Sequence, residues 1–286
     1  MSANPEIGSM VDAAGIPTNI HDSVVDPGGG TVLLIHGSGP GVSAWANWRL
    51  TMPALASHFR VVAPDIIGFG YTERTVGDYS LDTWTRHVVG VLDALEIEKA
   101  HVVGNSFGGS LALSLAIRHP DRGRRLRLMG AGGLDFSLTP GLDAVWGYEP
   151  SVEAMAELLR ILTATPAPGL DDLARLRYEA SIRPGVHEAY AAMFPAPRQR
   201  WVTALSHDDA LVAGISAPTI IYHGREDRVI PLATSLRLFQ LIPNAQLHVF
   251  GNCGHWTQIE HAEEFNRLLR DYLLGARHRF LGSRIT

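Results

Sequence analysis

The stretch Gly104-Asn105-Ser106-Phe107-Gly108 constrains the fold of this chain more than any other. An apolar, β-rich run, His101 to Val103, leads into it, and an apolar helical stretch, Leu111 to Ile117, leads out. A strand that becomes a helix within so few residues must turn sharply, and glycines are needed around the turn because larger side chains would collide. Ser106 sits at the apex, presented above the sheet that the strand belongs to. The blander alternative is a glycine-rich helix entry with an idle serine.

The same alternation runs through the chain. Short apolar runs recur at Val32 to Ile35, Val61 to Ala63, His101 to Val103, Leu126 to Met129, Thr219 to Tyr222 and Leu247 to Phe250. Continuous rather than alternating apolarity suits strands covered on both faces. Between them, Leu81, Trp84, Val88, Val91, Leu92 and Leu95 fall at helical spacing, with Ser80 placed as a cap. Alternating strands and helices predict an α/β fold with a mostly parallel central sheet flanked by helices. From Leu134 to Asp209 the strand-like runs vanish, and helical stretches Val152 to Thr163 and Leu170 to Ile182 are separated by prolines, Pro166 and Pro168 among them. This predicts a core of residues 1–133 and 210–286 with a helical cap, residues 134–209, inserted over the strand ends.

Charge and cysteine content narrow the function. The 286 residues carry 24 Lys and Arg against 29 Asp and Glu, a net charge of −5 without long runs of one sign, which argues against nucleic acid or an acidic membrane as partner. The basic clusters Arg122, Arg124, Arg125, Arg127 and Arg277, His278, Arg279 read as solvated faces. The lone cysteine, Cys253, forms no intrachain disulfide and reads as a packed thiol. With neither a signal-like N-terminus nor an apolar run near the roughly 20 residues of a membrane span, the expectation is a cytoplasmic protein.

An elbow serine has an unactivated hydroxyl, so it needs a histidine base and an acid that fixes the imidazole tautomer. In the strand–elbow–helix context the expected order is Ser, acid, His. The loop Gly224-Arg225-Glu226-Asp227-Arg228 after the strand Thr219 to Tyr222 offers Asp227, with Glu226 as its rival. Of 13 histidines, His255 is singled out by its place after the last strand, across Gly251-Asn252-Cys253-Gly254. The run His36-Gly37-Ser38-Gly39-Pro40-Gly41 follows a strand and predicts an oxyanion site built from the N–H groups of Ser38 and Phe107. A dinucleotide fingerprint starting at Gly37 fails, since Val42 stands where the third glycine belongs and Pro40 would disrupt an early helix. His187-Glu188 lacks the second histidine of a zinc motif, so no metal and no cofactor are expected.

With these residues in place, the sequence resembles the meta-cleavage product hydrolases, α/β-hydrolase-fold enzymes of aromatic catabolism, over roughly Ile7 to Leu274. The likeness is carried by HGSGPGVSAWANWRL from His36, GNSFGG from Gly104, TPGLDAVWGYEPS from Thr139, EASIRPG from Glu179, FPAPRQRW from Phe194, HGREDRVIP from His223 and CGHWTQIEH from Cys253. It implies hydrolysis of a carbon–carbon bond in a small 2-hydroxy-6-oxohexa-2,4-dienoate without a cofactor, in a homo-oligomer of two or more chains. It favours Asp227 over Glu226. It also implies a pocket lined by Gly37, Gly39, Asn47, Asn105 and Trp256, with Arg183 binding the substrate carboxylate. Gly123 and Arg127 stand where such enzymes tend to be apolar. Two alternatives remain: a carboxylesterase or lactonase using the same three residues, and an inactive binding protein of the same fold.

Overall fold

The computed structural model describes residues 4–74, 78–165 and 169–275. Pro166, Pro168 and the basic cluster at residues 277–279 lie outside them. Among the described residues eight strands form one sheet: β1 (Ser9–Ala13), β2 (Ile16–Asp22), β3 (Thr31–Ile35), β4 (Arg60–Pro64), β5 (Ala100–Asn105), β6 (Gly123–Met129), β7 (Thr219–Gly224) and β8 (Ala245–Phe250). Their order is β1-β2-β4-β3-β5-β6-β7-β8, antiparallel at β1·β2 and β2·β4 and parallel from β4 to β8. The six predicted apolar runs are β3 to β8. The hairpin β1·β2 was not foreseen, because Thr18 and Asn19 break the apolar pattern of β2 although both are fully buried. They are satisfied by distant side chains: Thr18 Oγ1 bonds His87 Nε2 at 2.8 Å, and Asn19 Nδ2 donates to Asp65 at 2.8 Å.

Short helices α1 (Ala44–Trp48) and α2 (Met52–Ala56) follow β3, and α3 (Leu81–Ala94) precedes β5. Ser80 caps α3 as expected, its hydroxyl accepting from the Thr83 N–H. α4 (Phe107–Arg118) starts directly after Ser106. Between β6 and β7 lie α5 (Pro140–Trp146), α6 (Val152–Leu162), α7 (Leu170–Ser181), α8 (Val186–Met193), α9 (Gln199–Ala204) and α10 (Asp209–Ala213), without a strand among the described residues. α11 (Leu232–Leu241) joins β7 to β8, and α12 (Thr257–Glu260) and α13 (Ala262–Leu273) close the described chain.

One apolar cluster runs continuously from beneath α3 and α4 into α5, α6 and α8, so these later helices share a core with the sheet instead of folding apart. A stack of rings reinforces it: Trp146 lies parallel to Phe194 at 4.5 Å, and Trp84 meets Phe107 edge-on at 4.8 Å. The second cluster, on the opposite face, holds α1, α2 and α13 against the sheet. There Arg127 takes an apolar place in β6, fully buried and stacked 3.7 Å over the Tyr272 ring. Gly123 opens β6 with free space where a Cβ would stand. No described helix is long and apolar enough to cross a membrane.

Candidate active site

Ser106 follows β5 in a conformation few side chains adopt, φ 55° and ψ −116°. Packing enforces the bend. A Cβ on Gly104 would lie 2.2 Å from the Gly108 carbonyl oxygen, and one on Gly108 would lie 2.3 Å from that of Ile35. The turn is held by the Ser106 N–H donating to Met129 O at 2.9 Å, and by Ser106 O accepting from Gly109 and Gly132. Phe107, the first residue of α4, carries one of the N–H groups that a helix start leaves without an intrahelical acceptor.

His255 and Asp227 meet. His255 Nδ1 and Asp227 Oδ2 are 2.7 Å apart, both nearly excluded from solvent, while Oδ1 of Asp227 accepts from the N–H groups of Val229 and Ile230 at 2.7 and 3.0 Å. Burial opposes ionisation of Asp227, but the charge and hydrogen bond of His255, the neighbouring His223 and the Ile230 N–H outweigh it and hold the carboxyl below its usual range. Glu226 points elsewhere, pairing with Arg225 at 2.7 Å and accepting from Cys253 N. His223 is a neighbour the sequence reading missed. Its Nε2 lies 3.6 Å from Asp227 and bonds Ile230 O, and its Nδ1 bonds Ser235 Oγ at 2.7 Å, while burial lowers its pKa from the usual histidine value.

Ser106 and His255 line one cavity, together with Gly37, Ser38, Gly39, Asn47, Asn105 and Trp256. A Cβ on Gly37 would stand 3.4 Å from that of Ser106, so the loop after β3 passes directly over the serine. Fully buried His36 anchors that loop, its Nδ1 donating to Gly37 O at 2.7 Å and its Nε2 accepting from Ile66 N at 2.9 Å. Burial lowers its pKa to about 4, so the ring is neutral. From above, Trp146 Nε1 donates to Ser38 Oγ, and the single proton of the Tyr190 hydroxyl is shared between Val145 O at 2.7 Å and Ser38 O at 2.9 Å. Asn105 Nδ2 donates to Asn47 Oδ1 at 3.3 Å on the cavity wall.

Arg183 is not brought to this cavity. It follows the end of α7, donates to Ala180 O and Gly70 O, and stacks 3.9 Å over the Tyr71 ring. The guanidinium on the cavity wall belongs to Arg177, one and a half turns earlier in α7, with Arg49 nearby. Helical spacing carried the signal: Arg177 shares the buried face of α7 with Ala174 and Ser181, three residues before and four after it. The far wall is apolar, with Leu142, Val145, Met155, Leu158, Leu159 and Leu162 from α5 and α6. A smaller cavity continues from Ser106 between Phe136, Leu142, Trp146, Val202, Leu205 and Ile230.

A family model described as the alpha/beta hydrolase family matches residues 32–268. The 2-hydroxymuconate semialdehyde hydrolase of a Pseudomonas species is 59% identical over 274 residues, covering 96% of each chain. The chain belongs to the α/β hydrolase family, among its meta-cleavage product hydrolases. This hydrolase is also 57% identical to the 2-hydroxy-6-oxo-2,4-heptadienoate hydrolase of Pseudomonas putida, over 95% of this chain and 98% of that one. Among solved structures, a variant of the meta-cleavage product hydrolase from Pseudomonas fluorescens IP01, complexed with acetates, superposes with a TM-score of 0.93 at 56% identity, covering 96% of this hydrolase and all of that chain.

Proposed function

We propose that the chain hydrolyses the carbon–carbon bond of 2-hydroxy-6-oxohexa-2,4-dienoate ring-fission products, with Ser106 as nucleophile, His255 as base and Asp227 as its orienting acid. The observation that carries this reading is one cavity holding the strained elbow serine and the Asp227-bound imidazole at one place and a buried guanidinium at another. That wall pattern suits a ligand with a carboxylate at one end, a carbonyl to be attacked, and an apolar backbone between. Arg177 takes the carboxylate in this scheme, a bidentate task suited to guanidinium.

Carbon–carbon cleavage is harder than ester hydrolysis because the departing electrons must rest on carbon. The dienol solves this if a proton leaves the 2-hydroxyl and one is delivered to C5. In the resulting keto form the electrons of the C5–C6 bond delocalise into the oxo-acid. His255 has Nδ1 committed to Asp227, which leaves Nε2 to relay protons. Ser106 adds to the C6 carbonyl, and the oxyanion is held by the N–H groups of Ser38 and Phe107. Breaking the C5–C6 bond releases 2-hydroxypenta-2,4-dienoate, and water then frees the acyl group as a carboxylic acid. The helices α5 to α9 act as a cap that encloses the substrate. The likeness to a 2-hydroxymuconate semialdehyde hydrolase and a 2-hydroxy-6-oxo-2,4-heptadienoate hydrolase supports hydrogen or methyl at C6 over phenyl.

The test is turnover of a series of yellow dienones, followed by loss of their colour, beside p-nitrophenyl esters. Preference for dienones with hydrogen or methyl at C6 is expected, falling at least about 10³-fold in Ser106→Ala. Strong preference for the esters would instead indicate an esterase, and unchanged dienone turnover in Ser106→Ala would remove the nucleophile.

A further inference from the structure

Arg177 is an ion in an apolar wall. Its side chain is 10% exposed, and a buried guanidinium is costly unless an opposite charge lies beside it. Its Nη2 donates to Gly41 O at 2.6 Å, a neutral partner. Arg49 and Arg183 stand close enough to add to its charge and not relieve it. The opposite charge comes from the other end of the sequence: Glu6 Oε1 lies 3.5 Å from Arg177 Nη1.

Glu6 is held there by a built anchor. Its N–H donates to Asn4 Oδ1 at 3.0 Å, and its carbonyl oxygen is bonded by Asn19 Nδ2 at 3.0 Å and by His21 Nε2 at 3.2 Å. Its second carboxylate oxygen, Oε2, is buried with no hydrogen-bond partner among the described residues. Glu6 is not part of the cavity wall, so it touches the guanidinium from behind. A carboxylate fixed in this position, with half its hydrogen-bonding capacity unused, has no packing purpose that an apolar side chain would not serve better.

We propose that Glu6 is the resident counter-ion of the cavity: it balances the charge of Arg177 while the site is empty and thereby weakens the grip of Arg177 on the carboxylate of an incoming or departing ligand. The inference rests on the reading of Arg177 as the carboxylate-binding group. Two carboxylates sharing one guanidinium repel each other, so ligand binding is less favourable than Arg177 alone would make it, and an anionic product leaves more easily. The chain trades affinity for a stable, open-ended cation.

The test uses sorbate (hexa-2,4-dienoate), which has the carboxylate and conjugated chain but no ketone to cleave, and its neutral amide, titrated calorimetrically into the full chain at constant ionic strength. Glu6→Gln is expected to bind sorbate about fivefold more tightly and the amide unchanged. Its melting temperature without ligand is lower than that of the wild type, and its rise on adding sorbate larger. Arg177→Gln weakens sorbate, and in that background Glu6→Gln has no further effect. Glu6→Met, apolar and of similar length, gives the same tightening should the Gln variant fold poorly. If Arg177→Gln leaves sorbate affinity unchanged, the carboxylate reading falls and this inference with it. If Arg177→Gln weakens sorbate while both Glu6 variants bind it no better than the wild type, or tighten the amide equally, the inference alone is overturned.

Discussion

The indole Nε1 of Trp146 donates to the Ser38 hydroxyl at 3.0 Å, tying α5 to the loop that passes over the elbow serine. The Tyr190 hydroxyl adds a second, weaker tie from α8, its one proton shared between Ser38 O at 2.9 Å and Val145 O at 2.7 Å. A backbone N–H stabilises an oxyanion only if it is already aimed when charge develops, so in the proposed scheme, where the Ser38 N–H is a donor, these two side chains act on catalysis without touching the reacting atoms.

Trp146→Phe keeps an aromatic ring to stack on Phe194 and removes the donor together with part of the buried indole. Loss of one oxyanion N–H typically costs about 3 kcal/mol, and loosening one costs a fraction of that. We expect kcat to fall about fivefold to tenfold with KM little changed, for dienones and esters alike, since both need the oxyanion site. A change in KM alone would mean that Trp146 acts only as a wall of the acyl cavity.

Asp227→Asn keeps the shape of the loop but reverses the bond to His255, because an amide can donate where the carboxylate accepts. The ring then presents the wrong tautomer, and kcat should drop about 10⁴-fold while the fold persists. Circular dichroism and melting temperature beside the rate measurement separate this from misfolding. His223→Gln, by contrast, disturbs only a neighbour 3.6 Å from the carboxylate and should cost far less.

Arg127→Met should raise the melting temperature. The guanidinium is fully buried, gains the face of Tyr272, and leaves Nε and Nη2 without hydrogen-bond partners among the described residues. An unpaired buried charge carries a desolvation cost of several kcal/mol that an apolar side chain of similar length does not. Turnover should be unaffected, because Arg127 stacks on Tyr272 of α13, which packs on the face of the sheet away from α5 and α6.

What could be read in the sequence divides along a physical line. The apolar runs of β3 to β7 are buried on both sides, so their own apolarity announces them, while β8 at the sheet edge is half-exposed and shows only as a short apolar run. The elbow shows as a local glycine pattern although Ile35 and Met129 help to enforce it. The hairpin β1·β2 depends on Thr18 and Asn19 being satisfied by His87, Thr72 and Asp65, far along the chain, and no local pattern reports that. Helical spacing separates the two arginines, since only Arg177 repeats with Ala174 and Ser181 on the buried face of α7, whereas the family likeness pointed to Arg183, which lies outside the cavity. Glu6 was invisible, because its partner lies 171 positions away.

The two arginines give a direct contrast. Arg177→Gln removes the guanidinium from the cavity wall and should raise KM for a dienone at least about 30-fold, with a smaller loss of p-nitrophenyl acetate hydrolysis, which offers no carboxylate. Arg183→Gln loses a stack on Tyr71 and two bonds to carbonyl oxygens outside the cavity, and should leave KM within about threefold of the wild type. Equal effects from both would contradict the assignment.

Stability should fall as the pH drops below neutral, for a reason that can be traced to single residues. His36, His87 and His101 are buried, and burial lowers each from 6.5 to about 4. Between pH 6.5 and 4 the unfolded chain therefore binds protons that the folded chain refuses, so each ring costs up to about 1.4 kcal/mol per pH unit as the medium acidifies through that window. Asp65 works the other way: burial raises it from 3.8 to about 6, so over that range the folded chain holds the extra proton and part of the loss is offset. Three rings against one carboxyl leave a net decline. His101 provides the cleanest check, since its Nδ1 has no hydrogen-bond partner among the described residues and its ring already packs edge-on against Phe59. His101→Phe should flatten the slope of unfolding free energy against pH by about one proton between pH 6.5 and 4.5. An unchanged slope in denaturant titrations across that range would show that His101 protonates as readily in the folded chain as in the unfolded one.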